Sequence, residues 1–341
     1  MPRGSLSMAV VLLAAAAEGI LAQDYVTTRY VNLRRTPSNT GAKIRTLAPG
    51  EPLSARDVEP RTGWVAVRES GGKAGWVGES KVRDLKAEHE HNATVLVDST
   101  TTAVRIDPNW AKPPLGTSTI KVRKDGKLIS CPPVGRAKKP DDGTNFQKNR
   151  ADVPQTSHLV TVGAIRALPD TALWRFKGLP PFRTRWSAAD SALVIPYEGI
   201  PVTVEGYFQV VKTQSGGDGE AVNCNANLES DTDWHIAFVA DPNETEAEAV
   251  VVEPTPRTKR HNAGWTPKNA AQFAVRTSEK AKPNPAGAAR VRITGWLLMD
   301  PVHATHIGKF RATLWEVHPV TKIEVRQNGQ WVNLNDVTPP E

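Results

Sequence analysis

The chain has 341 residues, 39% hydrophobic and 23% charged, with a net charge of +7 and a pI near 9.4. That is the composition of an ordinary globular protein of about two domains, and two cysteines are too few for a disulfide scaffold. The basic excess permits an anionic partner, but it is polarised along the chain. Thr119–Arg150 is rich in Lys and Arg, whereas Asp218–Glu253 has many acidic residues and no Lys or Arg. A nucleic-acid binder gathers its positive charge on one face, so this pattern argues against a nucleic-acid partner.

At the N-terminus, Arg3 precedes an apolar run, Leu6–Ala17, and small residues at Ala15–Ala17 and Ala22. The pattern reads as a secretory signal peptide over residues 1–22, cleaved after Ala22, with Ala17 as the alternative. The run is too short for a membrane span, and no other stretch approaches the ~20 apolar residues a spanning helix needs. With no cysteine at the junction, a lipid anchor is not expected. The mature protein is expected to be secreted or periplasmic, with no membrane span.

Residues 24–85 alternate short apolar runs with turn residues: Tyr30–Leu33, Ile44–Leu47, the turn Pro49-Gly50, Trp64–Val67 and Gly75–Val77. This is the signature of a small all-β barrel. The motifs Asn-Leu-Arg…Pro-Ser (Asn32–Ser38), Trp-x-x-Val (Trp64–Val67) and Gly-Trp-Val (Gly75–Val77) make this segment resemble a bacterial SH3 domain. The resemblance implies a binding or targeting module of exported envelope proteins, with cell-wall glycan or an envelope peptide or protein as partner. It does not imply catalysis.

Residues 86–119 read as a linker. His89 and His91 are expected to be solvated there, Thr94–Ile106 has strand-like composition, and Pro108, Pro113 and Pro114 return the chain to loop. Lys121–Ile129, with Asp125-Gly126 at its centre, predicts a hairpin. Ser157–Leu168 has apolar residues near helical spacing and ends before Pro169, which predicts a helix. Leu173–Trp186 interleaves basic and aromatic residues. Such a run can stack on a polyanion or clamp a loop onto a barrel, and the clamp is the expectation.

From residue 200 the plan is clearer. Ile200–Val210 and Val291–Met299 are long alternating strands with Gly206 and Gly295 inside their apolar faces, as sharply coiled strands of a small barrel require. Asp233–Val239 and Ala249–Glu253 read as shorter strands, and Pro267–Lys280 as a helix. In Arg311–Val325, Trp315, Val317, Ile323 and Val325 share one parity, while Glu316, His318, Lys322 and Glu324 share the other. Pro319 marks a bulge or an edge. Long strand, short strands, helix, strand, strand is the order of an OB-fold. The fold class is therefore mainly β: a bacterial SH3 barrel followed, over 120–335, by an OB-like β-barrel with one or two helices.

Parity sends Trp234, Ile236, Phe238, Val250 and Val252 into the barrel. It sends His235, Glu253, Arg257, Glu316, His318, Tyr207 and Trp296 to the outer face, where OB-folds bind ligands. These seven are the candidate ligand-binding residues. Two His and two carboxylates that converged could hold a divalent metal, or serve as acid and base with Arg257 on a phosphate oxygen. No hydrolase, zinc-protease or phosphate-loop motif is present, and neither a metal nor any other cofactor is implied.

The motifs Cys131–Gly135, Lys148–Arg150, Val204–Tyr207, Asn223-Cys224, Asp233–Ile236, Thr255–Arg257 and Trp315–Thr321 together resemble a recurrent set in exported bacterial proteins. That resemblance carries no activity. It implies that one domain begins at Cys131, and it places both cysteines in recurrent motifs, which brings a Cys131–Cys224 disulfide level with the alternative of two free thiols. The expected function is an exported envelope binding protein. The alternatives are a metal-assisted or acid–base hydrolase at the outer barrel face and a structural envelope protein.

Overall fold

The computed structural model describes residues 25–27, 30–48, 51–56, 58, 61, 63–84, 96–97, 101–136, 142–169, 183–213 and 220–337. The expected signal peptide, the His89/His91 pair and the Trp174–Phe182 part of the aromatic-basic run lie outside these residues. The chain divides into two compact units, one up to Leu85 and one from Lys86 onward.

The first unit is a seven-stranded sheet built from β1 (Tyr25–Thr27), β2 (Val31–Arg34), β3 (Lys43–Leu47), β4 (Pro52–Ala55), β5 (Trp64–Glu69), β6 (Ala74–Gly78) and β7 (Val82–Asp84). Its spatial order is β3-β2-β6-β5-β4-β1-β7. Val31, Leu33, Leu47, Leu53, Val67 and Val77 close on one another as its core. All but Leu53 lie in the apolar runs quoted above. Glu69 is buried, and its carboxylate accepts from the backbone of Lys73 and Gly71. The Lys73 amide in particular, against the opposing effect of burial, holds its pKa below the usual carboxylate range.

The second unit opens with β8 (Leu96–Val97) and the hairpin β9 (Ile120–Lys124) and β10 (Lys127–Cys131). Asp125 and Gly126 take positive φ at its turn, as a two-residue hairpin of this kind requires. Residues 101–119 correct the linker expectation, because their apolar members have a surface to cover. Ile106 is buried in the barrel core, Trp110 stacks on His158 with ring centroids 3.9 Å apart, and the Ala103 amide donates to Leu159 O. The helix expected over Ser157–Leu168 is also corrected. Its first half is β11 (Thr156–Val160), parallel to the first barrel strand, and only α2 (Val162–Arg166) is helical, Thr161 capping its amino end. Ser157 and Thr203 hydroxyls lie 2.7 Å apart across that pairing and fix it. Ahead of β11, α1 (Asp142–Lys148) precedes the loop to residue 155, and α3 (Ala188–Val194) follows later.

The barrel is made by β12 (Pro201–Thr213), β13 (Trp234–Val239), β14 (Val250–Val252), β15 (Val291–Met299) and β16 (Trp315–Gln327). β12 pairs with β13, β13 with β14, β14 in parallel with β16, β16 with β15, and β15 back with β12, so the sheet closes. Short helices α4 (Pro256–Lys259) and α5 (Pro267–Ala271) lie between the third and fourth barrel strands. This is the OB topology. α5 stops well short of Lys280, because the amides of Val275 and Arg276 donate to Phe208 O and Gln209 O and draw the chain out along β12.

Gly206 and Gly295 sit where strands touch. A Cβ on Gly206 would come 2.3 Å from Val239 O, and one on Gly295 would come 2.5 Å from Pro319 O. Pro319 lies in a central strand, so it marks a bulge and not an edge. It follows a cis peptide, and the β15–β16 register steps at Gly295 opposite it. A second bulge between Phe208 and Val210 inverts the parity of β12. Val210, expected inside, packs outside with Ala237, Val239 and Ala249, while Val211 turns in.

Candidate functional site

The inward parity of β13, β14 and β16 holds. Trp234, Ile236, Phe238, Val250, Val252, Trp315 and Val317 all belong to the core. The opposite face of these strands therefore collects His235, Glu253, Glu316 and His318, and the closed ring brings them together. His318 Nδ1 lies 2.7 Å from Glu253 Oε2 and 3.3 Å from Glu316 Oε2. His235 Nε2 lies 3.2 Å from Glu253 Oε1 and 3.6 Å from Asp233 Oδ2. Arg311 closes one end of the row on Glu316, and Asn223 closes the other, its side-chain amide donating to Asp233 Oδ1 at 2.8 Å.

Exposure on the outer face is corrected. Glu253, Arg257, Glu316, His318 and Trp296 are all buried. The reason is a cover formed by residues 131–136 and 142–152. Arg257 donates to Pro132 O, Cys131 O and the Asn149 side chain, which leaves its guanidinium committed to holding that cover. Arg150 stacks 3.3 Å from the Trp296 ring centroid, and the Trp296 indole donates to Asp152 O. Lys148 pairs with Asp300 at 2.6 Å. Cys131 and Cys224 are bonded, with Cα atoms 5.6 Å apart, and anchor the start of the cover. Tyr207 lies apart, packed with Val210, Ala237, Val239 and Ala249.

Of the seven, His235 lines a cavity of about 250 Å³. Its wall also holds Lys212, Glu246, His303, His306, Phe310 and Arg311, and the His235 side chain is 21% exposed there. His303 and His306 stack with centroids 5.2 Å apart on a 3₁₀ segment, Pro301–His306, started by an Asp300 cap. Sequence reasoning passed over Asp300, His303 and His306, and took Lys148 only as part of the Lys148–Arg150 motif. The Asp300-Pro-x-His-x-x-His306 spacing was the one available signal.

Electrostatically the group is a line of alternating charges. Burial alone would favour the neutral imidazoles, but Glu253 first, then Asp233, raise His235 to about 10. Glu253 and Glu316 likewise raise His318 to about 9 against burial. In the same sense, burial opposes the ionised carboxyl of Asp233, yet hydrogen bonding and charge from His235 hold it down to about 2. Arg311 and His318 do so for Glu316, also to about 2. The shift on His235 is the softer, since water reaches its ring. Lys148 and Asp300 hold each other charged despite burial, the amine well above and the carboxyl well below their ordinary values. Such a row can bind a cation among its carboxylates, present cationic groups to an anion at the cavity mouth, or move a proton through His235.

The fold thus defines a mainly β protein of two small barrels, one SH3-like and one OB-like. Residues 28–84 match the family model for the bacterial SH3 domain. No curated protein matches the chain. Among the described residues, no helix is long and apolar enough to cross a membrane.

Proposed function

We propose that this is an exported cell-envelope binding protein. Its bacterial SH3 domain holds the chain to cell-wall glycan or to an envelope peptide or protein, and its OB-like barrel binds a ligand at the cavity beside His235. The observation that carries the targeting half is the SH3 match over residues 28–84, on a unit with its own core. The cover over Arg257 and Trp296 supports a small ligand for the barrel, because it occupies the broad face on which a polymer would lie. A buried disulfide accords with an oxidising compartment, secreted or periplasmic. Fractionation of cells producing the full chain, and the chain lacking residues 24–85, tests the targeting role. Retention in the envelope fraction should depend on the segment, and equal retention of both would sink the reading.

A hydrolase is the second reading. It is favoured by His235 lying against Glu253 and Asp233 at the edge of an open cavity, a geometry fit for general acid–base work. Turnover of phosphoester or cell-wall fragment substrates that is lost in H235Q would establish it.

A further inference from the structure

Asp233, His235 and Glu253 come from two adjoining strand ends, and their donor atoms all lie within 4.8 Å of one another. From His235 Nε2, the 3.2 Å to Glu253 Oε1 is the spacing of neighbouring ligands around one ion, and the 3.6 Å to Asp233 Oδ2 is slightly wider. Metal–ligand bonds of roughly 2.1 Å place adjacent donors about 3.0–3.4 Å apart. Glu253 is 1% exposed and Asp233 fully buried, yet Glu253 Oε1 and Oε2 and Asp233 Oδ2 meet the imidazoles of His235 and His318 as ion pairs without a well-aligned hydrogen bond. Buried carboxylate oxygens are seldom left so.

The surroundings are those of ligands held in place. Asn223 grips Asp233 through Oδ1 and also accepts from the Asp233 amide at 2.7 Å, which leaves Oδ2 aimed at His235. The Glu253 backbone is tied to β16 on both sides of Pro319, its amide donating to Val317 O and its carbonyl accepting from Val320. His318, itself set by Glu316 and Arg311, stands behind Glu253 Oε2. Partners of this kind orient metal-bound carboxylates and tune them. Three carboxylates here face one guanidinium and two imidazoles, since Lys148 is taken by Asp300, so a cation bound at His235 would replace the charge that its proton supplies in the metal-free protein.

We infer that Asp233, His235 and Glu253 bind one divalent first-row transition cation, zinc or manganese, with an open coordination position facing the cavity. One imidazole with two carboxylates suits these ions, while calcium and magnesium take oxygen ligands alone. The inference goes beyond the binding role proposed above and does not depend on it. Loss of envelope retention reads the SH3 unit and would leave the metal result untouched.

The test is equilibrium dialysis of the chelator-stripped full chain against zinc and against manganese, with elemental analysis. One ion per chain is expected. H235Q, at the accessible edge of the cluster, should weaken binding by at least about tenfold, while H303Q and H306Q should leave it within about twofold. No stoichiometric binding, binding indifferent to H235Q, or loss in H306Q in its place would overturn the assignment. Zinc-edge X-ray absorption of the unmodified protein gives a check that no variant can confuse by misfolding. One imidazole among oxygen donors is expected, and none, or two or more, refutes it.

Discussion

His318 and Glu253 meet at 2.7 Å in the dry wall between the barrel and its cover, both side chains buried. Neither residue could hold its charge there alone. Removing one partner of a buried ion pair leaves the other unpaired, at a cost of about 3–5 kcal/mol. H318Q should therefore lower stability by about that amount in urea unfolding, and E253Q by a similar amount. The double substitution should cost clearly less than the sum. Additive losses would mean that the two side chains are not energetically coupled.

The raised imidazoles have a pH signature in the metal-free protein. Both folded values, about 10 for His235 and about 9 for His318, lie above the ordinary value near 6.5. Their stabilisation is thus complete below about pH 6.5 and is lost as pH rises through 9 and 10. Lys259 acts the other way. Burial lowers it to about 8, so it adds stability between pH 8 and its ordinary value near 10.5. With two groups against one, the urea midpoint should fall from pH 6.5 to 10, and the slope should shrink in H318Q. A flat or rising profile would contradict the charge arrangement. Asp233 and Glu316, held near 2, add stability that is present above about pH 4.5 and lost as pH falls toward 2.

The disulfide closes a loop spanning 93 positions, for which chain-entropy arguments give roughly 4–5 kcal/mol. Its reduction should lower stability by several kcal/mol and release the cover first, because Cys131 begins it. Limited proteolysis under reducing conditions should cut within residues 131–152 before it cuts the barrel. Early cleavage in the barrel strands would mean that the bond holds the barrel itself.

Much of the barrel was legible from parity alone. Trp234 and Val317 stand between polar residues, and alternation dictates which side of a strand faces the core. The glycines at 206 and 295 signalled sharply coiled strands for the same local reason. Alternation says nothing of what lies over the other side. Asn149 meets Arg257 across 108 positions and Asp152 meets Trp296 across 144, so the cover that buries the polar face leaves no periodic trace. The bulge after Phe208 is likewise invisible, because Val210 and Val211 are both apolar and either could face inward. His303 and His306 sit on a 3₁₀ segment, with no strand pattern to attach them to the site.

Arg150 shows how the cover is fastened, and its replacement separates charge from shape. Its guanidinium lies 3.3 Å from the Trp296 ring centroid, donates to Pro113 O and Pro114 O, and forks onto both oxygens of Asp152. Lysine keeps the charge but has neither the plane for the ring nor the fork for the carboxylate. R150K should therefore destabilise by about 2–3 kcal/mol, within the range for lost hydrogen bonds to a charged group. Loss of the stack should also shift tryptophan fluorescence as water reaches Trp296. W296F keeps an aromatic face for the guanidinium and loses the indole bond to Asp152, so it should cost less. If R150K behaved like the parent protein in both stability and fluorescence, charge alone would suffice at this contact, and the cover would be held by Arg257 and the disulfide.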